Sequence, residues 1–124
     1  MNKYTELSDF EINKKVADLI GATPFPFGST DYRRSAVSGC ESAIIIRSPH
    51  KVGSFDPCNN PTDAMTIIIE NLISLMADMS EDGGATWWCA SDISNGFTSN
   101  YKSNPLRAAM EVFLMIKDAE NEKV

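Results

Sequence analysis

The sequence predicts an α+β domain in which three helices pack on a small antiparallel sheet of three or four strands. Helix starts are indicated by a Ser-x-x-Glu capping box at 8–11 and by two Asn-Pro pairs, at 60–61 and 104–105. Strands are indicated by a β-branched run at 42–47 and by apolar segments on both sides of a Gly-Gly turn at 81–84. The predicted order of elements is α-β-α-β-β-α.

The first helix is the most completely marked element. Ser8 and Glu11 satisfy each other's backbone amides in a capping box, and apolar residues then recur with helical spacing. Gly21 follows the last of them, where a helix commonly ends. The pattern predicts a helix over 9–20. Residues 22–39 predict a loop with a short strand near Tyr32.

The remaining elements follow from turn and capping residues. After the strand at 42–47, a turn at 48–53 leads to a second helix that starts at Pro61. Alternating residues at 73–77 and the segment 85–90 predict a hairpin, and 91–103 predicts a long loop. The last helix starts at Pro105 and presents an apolar stripe.

Length and composition favour a single globular domain over residues 1–124. The chain has 43% hydrophobic and 23% charged residues and a formal net charge of −6. That charge opposes direct, sequence-independent binding to nucleic acid. No apolar run approaches the length that spans a bilayer, and the polar start lacks a signal peptide, so we expect a cytoplasmic protein without a membrane partner.

The cysteines and the histidine predict no metal site and no cofactor. Cys40, Cys58 and Cys89 are odd in number and match no disulfide or zinc-ligand spacing, so we expect reduced, mostly buried thiols. His50 lies in a turn between a proline and a lysine, where an exposed position is expected. No arrangement of residues in the sequence fixes a catalytic mechanism, and no catalytic residue is assigned.

Several segments resemble the NinX family of lambdoid bacteriophages. They are FDPCNNPTDAMTIIIENLISL, WWCAS, the ending NPLRAAMEVFLMIKDAE and the opening YTELSDFEINKKVADLIG. The resemblance implies a small accessory protein of temperate phages or prophages that works in a bacterial cytoplasm, and it transfers no catalytic residue. The chain departs from the family at Thr66, where proline is common, and at Leu72, where glycine is common.

Five residues are candidates for binding. Asp56 and Asn59 precede the second helix start, where free amides are available, although capping by Asn60 explains the local pattern. Trp87 and Trp88 are neighbours on a predicted strand, so their side chains point to opposite faces. Arg107 either pairs with Glu111 one helical turn later or faces an anionic ligand.

These observations favour a protein that acts by binding a host or phage protein, with inhibition of a host or defence protein as one form of that activity. An aromatic anchor from Trp87 or Trp88 would suit such an interface. Two alternatives remain open. One is a small hydrolase or nucleotide-processing enzyme that uses convergent carboxylates, and the other is a domain that binds a small ligand near Arg107, a tryptophan and Asn59. The oligomeric state is left open.

Overall fold

The computed structural model describes residues 3–26, 28–48 and 52–122. Within these residues three helices are present: α1 Asp9–Leu19, α2 Pro61–Glu70 and α3 Pro105–Glu122. The strands are β1 Thr23–Pro24, β2 Arg33–Arg34, β3 Ile44–Ser48, β4 Gly53–Phe55, β5 Ser74–Met79 and β6 Thr86–Ser91. The predicted α+β class with three helices is confirmed. None of the described helices is long and apolar enough to cross a membrane.

The strands form two antiparallel sheets, where the sequence predicted one. In the first sheet β3 is central, with β4 along one edge and the short strands β1 and β2 along the other. The second sheet is the predicted hairpin of β5 and β6. The order of elements is therefore α-β-β-β-β-α-β-β-α. The short strand expected near Tyr32 is present as β2. The strands β1 and β4 were not predicted, because they are too short to show an alternation of apolar and polar residues and are defined by their pairing with β3.

The segment predicted as a loop at 91–103 folds back along β6. The backbone amide of Trp88 donates to the carbonyl of Lys102 at 2.7 Å, and the amide of Lys102 donates to the carbonyl of Trp88 at 2.8 Å. A second bridge joins Ser91 to Thr98. One edge of β6 is thus covered by this segment and the other by β5.

The helix starts are confirmed, and each uses the predicted cap. The amide of Glu11 donates to Ser8 Oγ at 3.1 Å, while the amide of Ser8 donates to Glu11 Oε1 at 3.2 Å. Asn60 accepts from the amide of Thr62 at 2.9 Å, and Asn104 accepts from the amide of Leu106 at 2.9 Å. Local side-chain chemistry therefore sets where all three helices begin.

One hydrophobic core unites the helices with both sheets. Buried side chains from every layer contribute to it, among them Ile12 and Val16, Ile44 and Ile46, Ile67 and Ile68, Ala90, Met110 and Phe113. The helix α3 lies at the centre of this arrangement, because it packs against α1, α2 and the hairpin. Its residues from 107 to 114 are all buried.

Loss of a cap should destabilise the fold. We expect Ser8→Ala and Asn104→Ala each to cost about 0.5–2 kcal/mol, because each removes an acceptor for free helix amides. The larger cost is expected for Asn104, whose Nδ2 also donates to the carbonyl of Cys58 at 2.7 Å. Urea denaturation of both variants against the wild type measures this. Midpoints equal to the wild type would show that these caps do not stabilise the helices.

The turn between α2 and β5 carries backbone strain. Leu72 has φ of 55° in the left-handed region, and its side chain is 58% exposed. We expect Leu72→Gly to be more stable than Leu72→Ala by about 1 kcal/mol, because glycine alone removes the clash of Cβ in this conformation. The alanine variant controls for loss of the side chain. Equal unfolding free energies for the two variants in urea would contradict the strain.

Candidate functional site

Arg107 joins the start of α3 to the N-terminal segment. Its Nε donates to Glu111 Oε2 at 2.7 Å, and its Nη1 donates to Asp9 Oδ1 at 2.6 Å. Its Nη2 donates to the backbone carbonyls of Tyr4 at 2.9 Å and Leu7 at 2.7 Å. The predicted pairing of Arg107 with Glu111 is confirmed. The guanidinium is therefore directed at groups within the chain.

The charges around Arg107 are desolvated but matched. Glu111 is fully buried and also accepts from Lys102 Nζ at 3.2 Å. Burial opposes the guanidinium charge, but the carboxylates of Asp9 and Glu111 outweigh it and raise the pKa of Arg107. The group therefore stays charged and acts as a fixed structural cation.

Asp56 and Asn59 belong to the same network. Asp56 accepts from Asn13 Nδ2 at 2.7 Å and from Ser42 Oγ at 2.7 Å. Asn59 Nδ2 lies 3.1 Å from Asp9 Oδ2 and within 3.3 Å of both Asp56 oxygens. We name this cluster the polar brace; it consists of Asp9, Asn13, Asp56, Asn59, Asn104, Arg107 and Glu111. Three of the five candidate binding residues thus meet in one cluster.

Asn13 is a member of the brace that the sequence analysis did not identify. It is fully buried, donates to the carbonyl of Ser42 at 2.9 Å and accepts from the amide of Cys58 at 3.2 Å. The available signal was a polar residue beside the apolar stripe of α1. Such a residue must bond within the protein when buried.

The three cysteines have different surroundings. All three thiols are free, with Cys58 buried, Cys89 half-buried and Cys40 exposed. Burial, together with the Asp9 carboxylate, raises the pKa of the Cys58 thiol. The expectation of mostly buried thiols is wrong for Cys40, because its loop at 35–43 lies at the surface. His50 lies outside the described residues, and within them no three His, Cys, Asp or Glu side chains could hold a metal ion.

The two tryptophans point to opposite faces of β6, as predicted. Trp88 pairs with Ala77 and lies on the same face as Leu75 and Ala90, which pack into the core with α3. Trp87 lies on the other face and stacks on Tyr101, with ring centroids 5.1 Å apart and an interplanar angle of 25°. Both indoles are half-buried.

We define the outer face of the hairpin as Met76, Asp78, Trp87, Cys89 and Tyr101. Met76 is 45% exposed and Tyr101 is 70% exposed. The indole Nε1 of Trp87 is covered but has no hydrogen-bond acceptor among the described residues. Sequence analysis missed Tyr101, because the fold-back of 98–102 that brings it to Trp87 depends on long-range pairing.

Residues 52–101, which include the outer face of the hairpin, are rich in acidic residues. The segment contains no lysine or arginine, and its seven acidic residues are Asp56, Asp63, Glu70, Asp78, Glu81, Asp82 and Asp92. All eleven basic residues lie outside it, with the other ten acidic residues. Exposed apolar side chains such as Ile69, Met76 and Met79 lie in the same segment. The negative charge of the protein is thus concentrated on α2 and the hairpin.

Among the grooves lined by the described residues, two have volumes of about 620 and 580 Å³. The larger lies between the end of α1, one face of α2 and α3, over Ile46 and Phe55. The smaller lies beside Tyr4, Phe97 and Asp118. Neither is lined by Asp56, Asn59, Trp87, Trp88 or Arg107, so the five candidates do not surround either groove.

Comparison with known proteins identifies one family. The family described as Bacteriophage P22, NinX matches residues 3–117. No curated protein and no solved structure matches the chain.

Removal of the guanidinium should be strongly destabilising. We expect Arg107→Ala to cost about 3–5 kcal/mol, because Glu111 then stays buried with Lys102 as its remaining cation. Arg107→Lys keeps a charge but loses the planar fork, so an intermediate cost is expected. Chemical denaturation measures both. Glu120→Ala is the matched control, since it removes the exposed ion pair with Lys117 and should cost less than about 1 kcal/mol.

An unfolded Arg107→Ala protein would agree with the expected cost, and Arg107→Lys would then supply the measured value. Unfolding free energies within about 1 kcal/mol of the wild type for both Arg107 variants would contradict a structural role for the brace.

Proposed function

The chain belongs to the NinX family of bacteriophage P22 and is a phage accessory protein, and from this premise we propose that it acts by binding another protein through the outer face of the hairpin. The partner is a host or phage protein in the cytoplasm of the bacterium. Binding would inhibit a host or defence protein if the outer face covers its active site or the surface by which it binds its own partner.

The Trp87–Tyr101 stack is the observation that carries this proposal. Tryptophan and tyrosine dominate binding energy at protein interfaces, since each buries a large apolar area at little cost in conformational entropy. The two ring centroids lie 5.1 Å apart, on the face of β6 opposite to the one that carries the buried residue Ala90. The pair is therefore a preformed anchor with Met76 beside it.

The covered indole N–H adds a second reason. A buried donor without an acceptor costs about 1–3 kcal/mol. Tyr101 stacks on the Trp87 ring and is itself 70% exposed, so displacement of one exposed side chain would uncover the indole face. A carbonyl oxygen of a partner could then accept the hydrogen bond that the chain itself does not supply.

The charge of the surrounding surface defines the partner's chemistry. Asp78 lies on the outer face, and Glu81 and Asp82 lie at the tip of the hairpin. Two copies of the chain would bring these carboxylates together, which disfavours self-association by this face. The surface fits a partner with an apolar cleft for Trp87 and Tyr101 and lysine or arginine residues around it.

The contacts within the polar brace argue against a binding site for a partner at Asp56, Asn59 or Arg107. Asp56 and Asn59 bond to each other and to neighbouring side chains, and Arg107 bonds to two carboxylates and two backbone carbonyls. A partner would have to replace those bonds. No specific observation favours the hydrolase alternative, because Asp9 and Glu111 are both held by Arg107.

Matched baits test the proposal. Extract of phage-infected bacteria is passed over four immobilised proteins: the wild type, Trp87→Ala, Tyr101→Ala and Val37→Ala. The proteins that each one captures are identified by mass spectrometry. A captured candidate is then purified, and its affinity for each variant is measured by calorimetry. Val37 is exposed and apolar but lies outside the acidic segment, so it is the control.

We expect Trp87→Ala to weaken binding about 30-fold or more and Tyr101→Ala about tenfold, with Val37→Ala unchanged. Affinity should fall as salt is raised, since the partner is basic. Thermal melts separate lost binding from lost fold, and Trp88→Ala should lower stability because Trp88 lies on the face of β6 that carries the buried residue Ala90. A partner that binds Trp87→Ala and Tyr101→Ala as tightly as wild type would refute the proposed face.

A further inference from the structure

The larger groove has an apolar floor and a polar side formed by α2. Ile46, Phe55, Ile67 and Phe113 form the floor and are buried members of the core. Its volume of about 620 Å³ lies within the usual range of small-molecule sites, roughly 300–1,000 Å³. The groove does not include the outer face of the hairpin, so the inference below is independent of the proposed function.

Two helices present their C-terminal ends to this groove. Leu19 and Ile20 at the end of α1, and Glu70 and Asn71 at the end of α2, all line it. The last turns of both helices lack a basic residue. A helix C-terminus carries about half a negative charge and favours a cation. Both ends therefore attract positive charge to the same place.

The side chains of the groove reinforce this preference. Glu70 has no ion-pair partner among the described residues. Lys117 is the basic residue in the lining, and its Nζ lies 3.1 Å from Glu120, which offsets its charge. Thr62 and Thr66 lie one turn apart on the α2 wall, with Glu70 one turn further on. These three residues offer two hydroxyls and a carboxylate in a row above the apolar floor.

We propose that this groove binds a small organic cation with an apolar body. The apolar body lies on Phe55, Phe113 and Ile46, where it displaces water from core side chains. The ammonium group lies at Glu70, between the two helix ends. Anionic ligands are disfavoured at this site by the same groups.

Three probes with the same ring system test the charge requirement. Tryptamine is a cation, tryptophol is neutral and indoleacetate is an anion, and binding of each is followed by amide chemical shifts in the labelled full-length chain. We expect shifts at amides that line the groove, with tryptamine bound about five- to tenfold more tightly than tryptophol and indoleacetate bound most weakly. Equal affinities for the three probes, or shifts confined to other surfaces, would overturn the proposal.

Variants of α2 separate the groove from its surroundings. Glu70→Gln should reduce the preference of tryptamine over tryptophol by about threefold, since it removes the carboxylate and keeps the shape. Thr66→Trp should fill the groove and abolish binding of all three probes. Ile69→Trp is the matched control, because Ile69 is exposed on the same helix but does not line the groove. Tryptamine binding that survives in a folded Thr66→Trp protein would refute the site.

Discussion

The fold depends on how one guanidinium is satisfied. Arg107 brings four acceptors from α3, α1 and the N-terminal segment to one point, and two of them are the backbone carbonyls of Tyr4 and Leu7. Desolvated charges tolerate little displacement, because each lost bond leaves an unpaired group in a medium of low dielectric constant. The angle between α1 and α3 is therefore fixed by polar geometry as well as by apolar packing.

Asp9 extends this constraint to the rest of the molecule. One of its oxygens accepts from Arg107, and the other lies 3.1 Å from Asn59 Nδ2, so a single carboxylate connects the loop before α2 to the start of α3. The side chains of the polar brace are hydrogen-bonded to one another or to other groups of the chain. The acidic segment 52–101 differs, since its hairpin carboxylates form no ion pair among the described residues and lie beside exposed apolar side chains such as Met76 and Met79. Surfaces for partners are thus left on the part of the chain that the brace does not hold.

Features determined by neighbouring residues were predictable from the sequence, and features determined by distant pairing were not. The helix caps are readable from spacing, because Ser8, Asn60 and Asn104 bond to amides only two or three residues later. The ion pair of Arg107 with Glu111 is readable for the same reason, since the two residues are one helical turn apart. The contact of Arg107 with Asp9 spans the chain and leaves no local signal. The same reason explains why β1, β4 and the Trp87–Tyr101 stack were missed. The excess of acidic residues in 52–101 is readable from the sequence, but the net charge of −6 alone does not show where it lies.

The short connection after α2 joins the two surfaces proposed to bind. Glu70 at the groove is followed within four residues by Ser74, the first residue of β5, and Leu72 between them is held in the left-handed region. A residue in the left-handed region keeps that conformation only while the surrounding hydrogen bonds hold it, here those from the amides of Leu72 and Ile73 to the end of α2. An occupant of the groove would influence the hairpin only by preferring one conformation of this turn over another. Strain at Leu72 therefore matters beyond stability, since Leu72 lies in the short segment of chain that joins Glu70 in the groove to Met76 on the outer face.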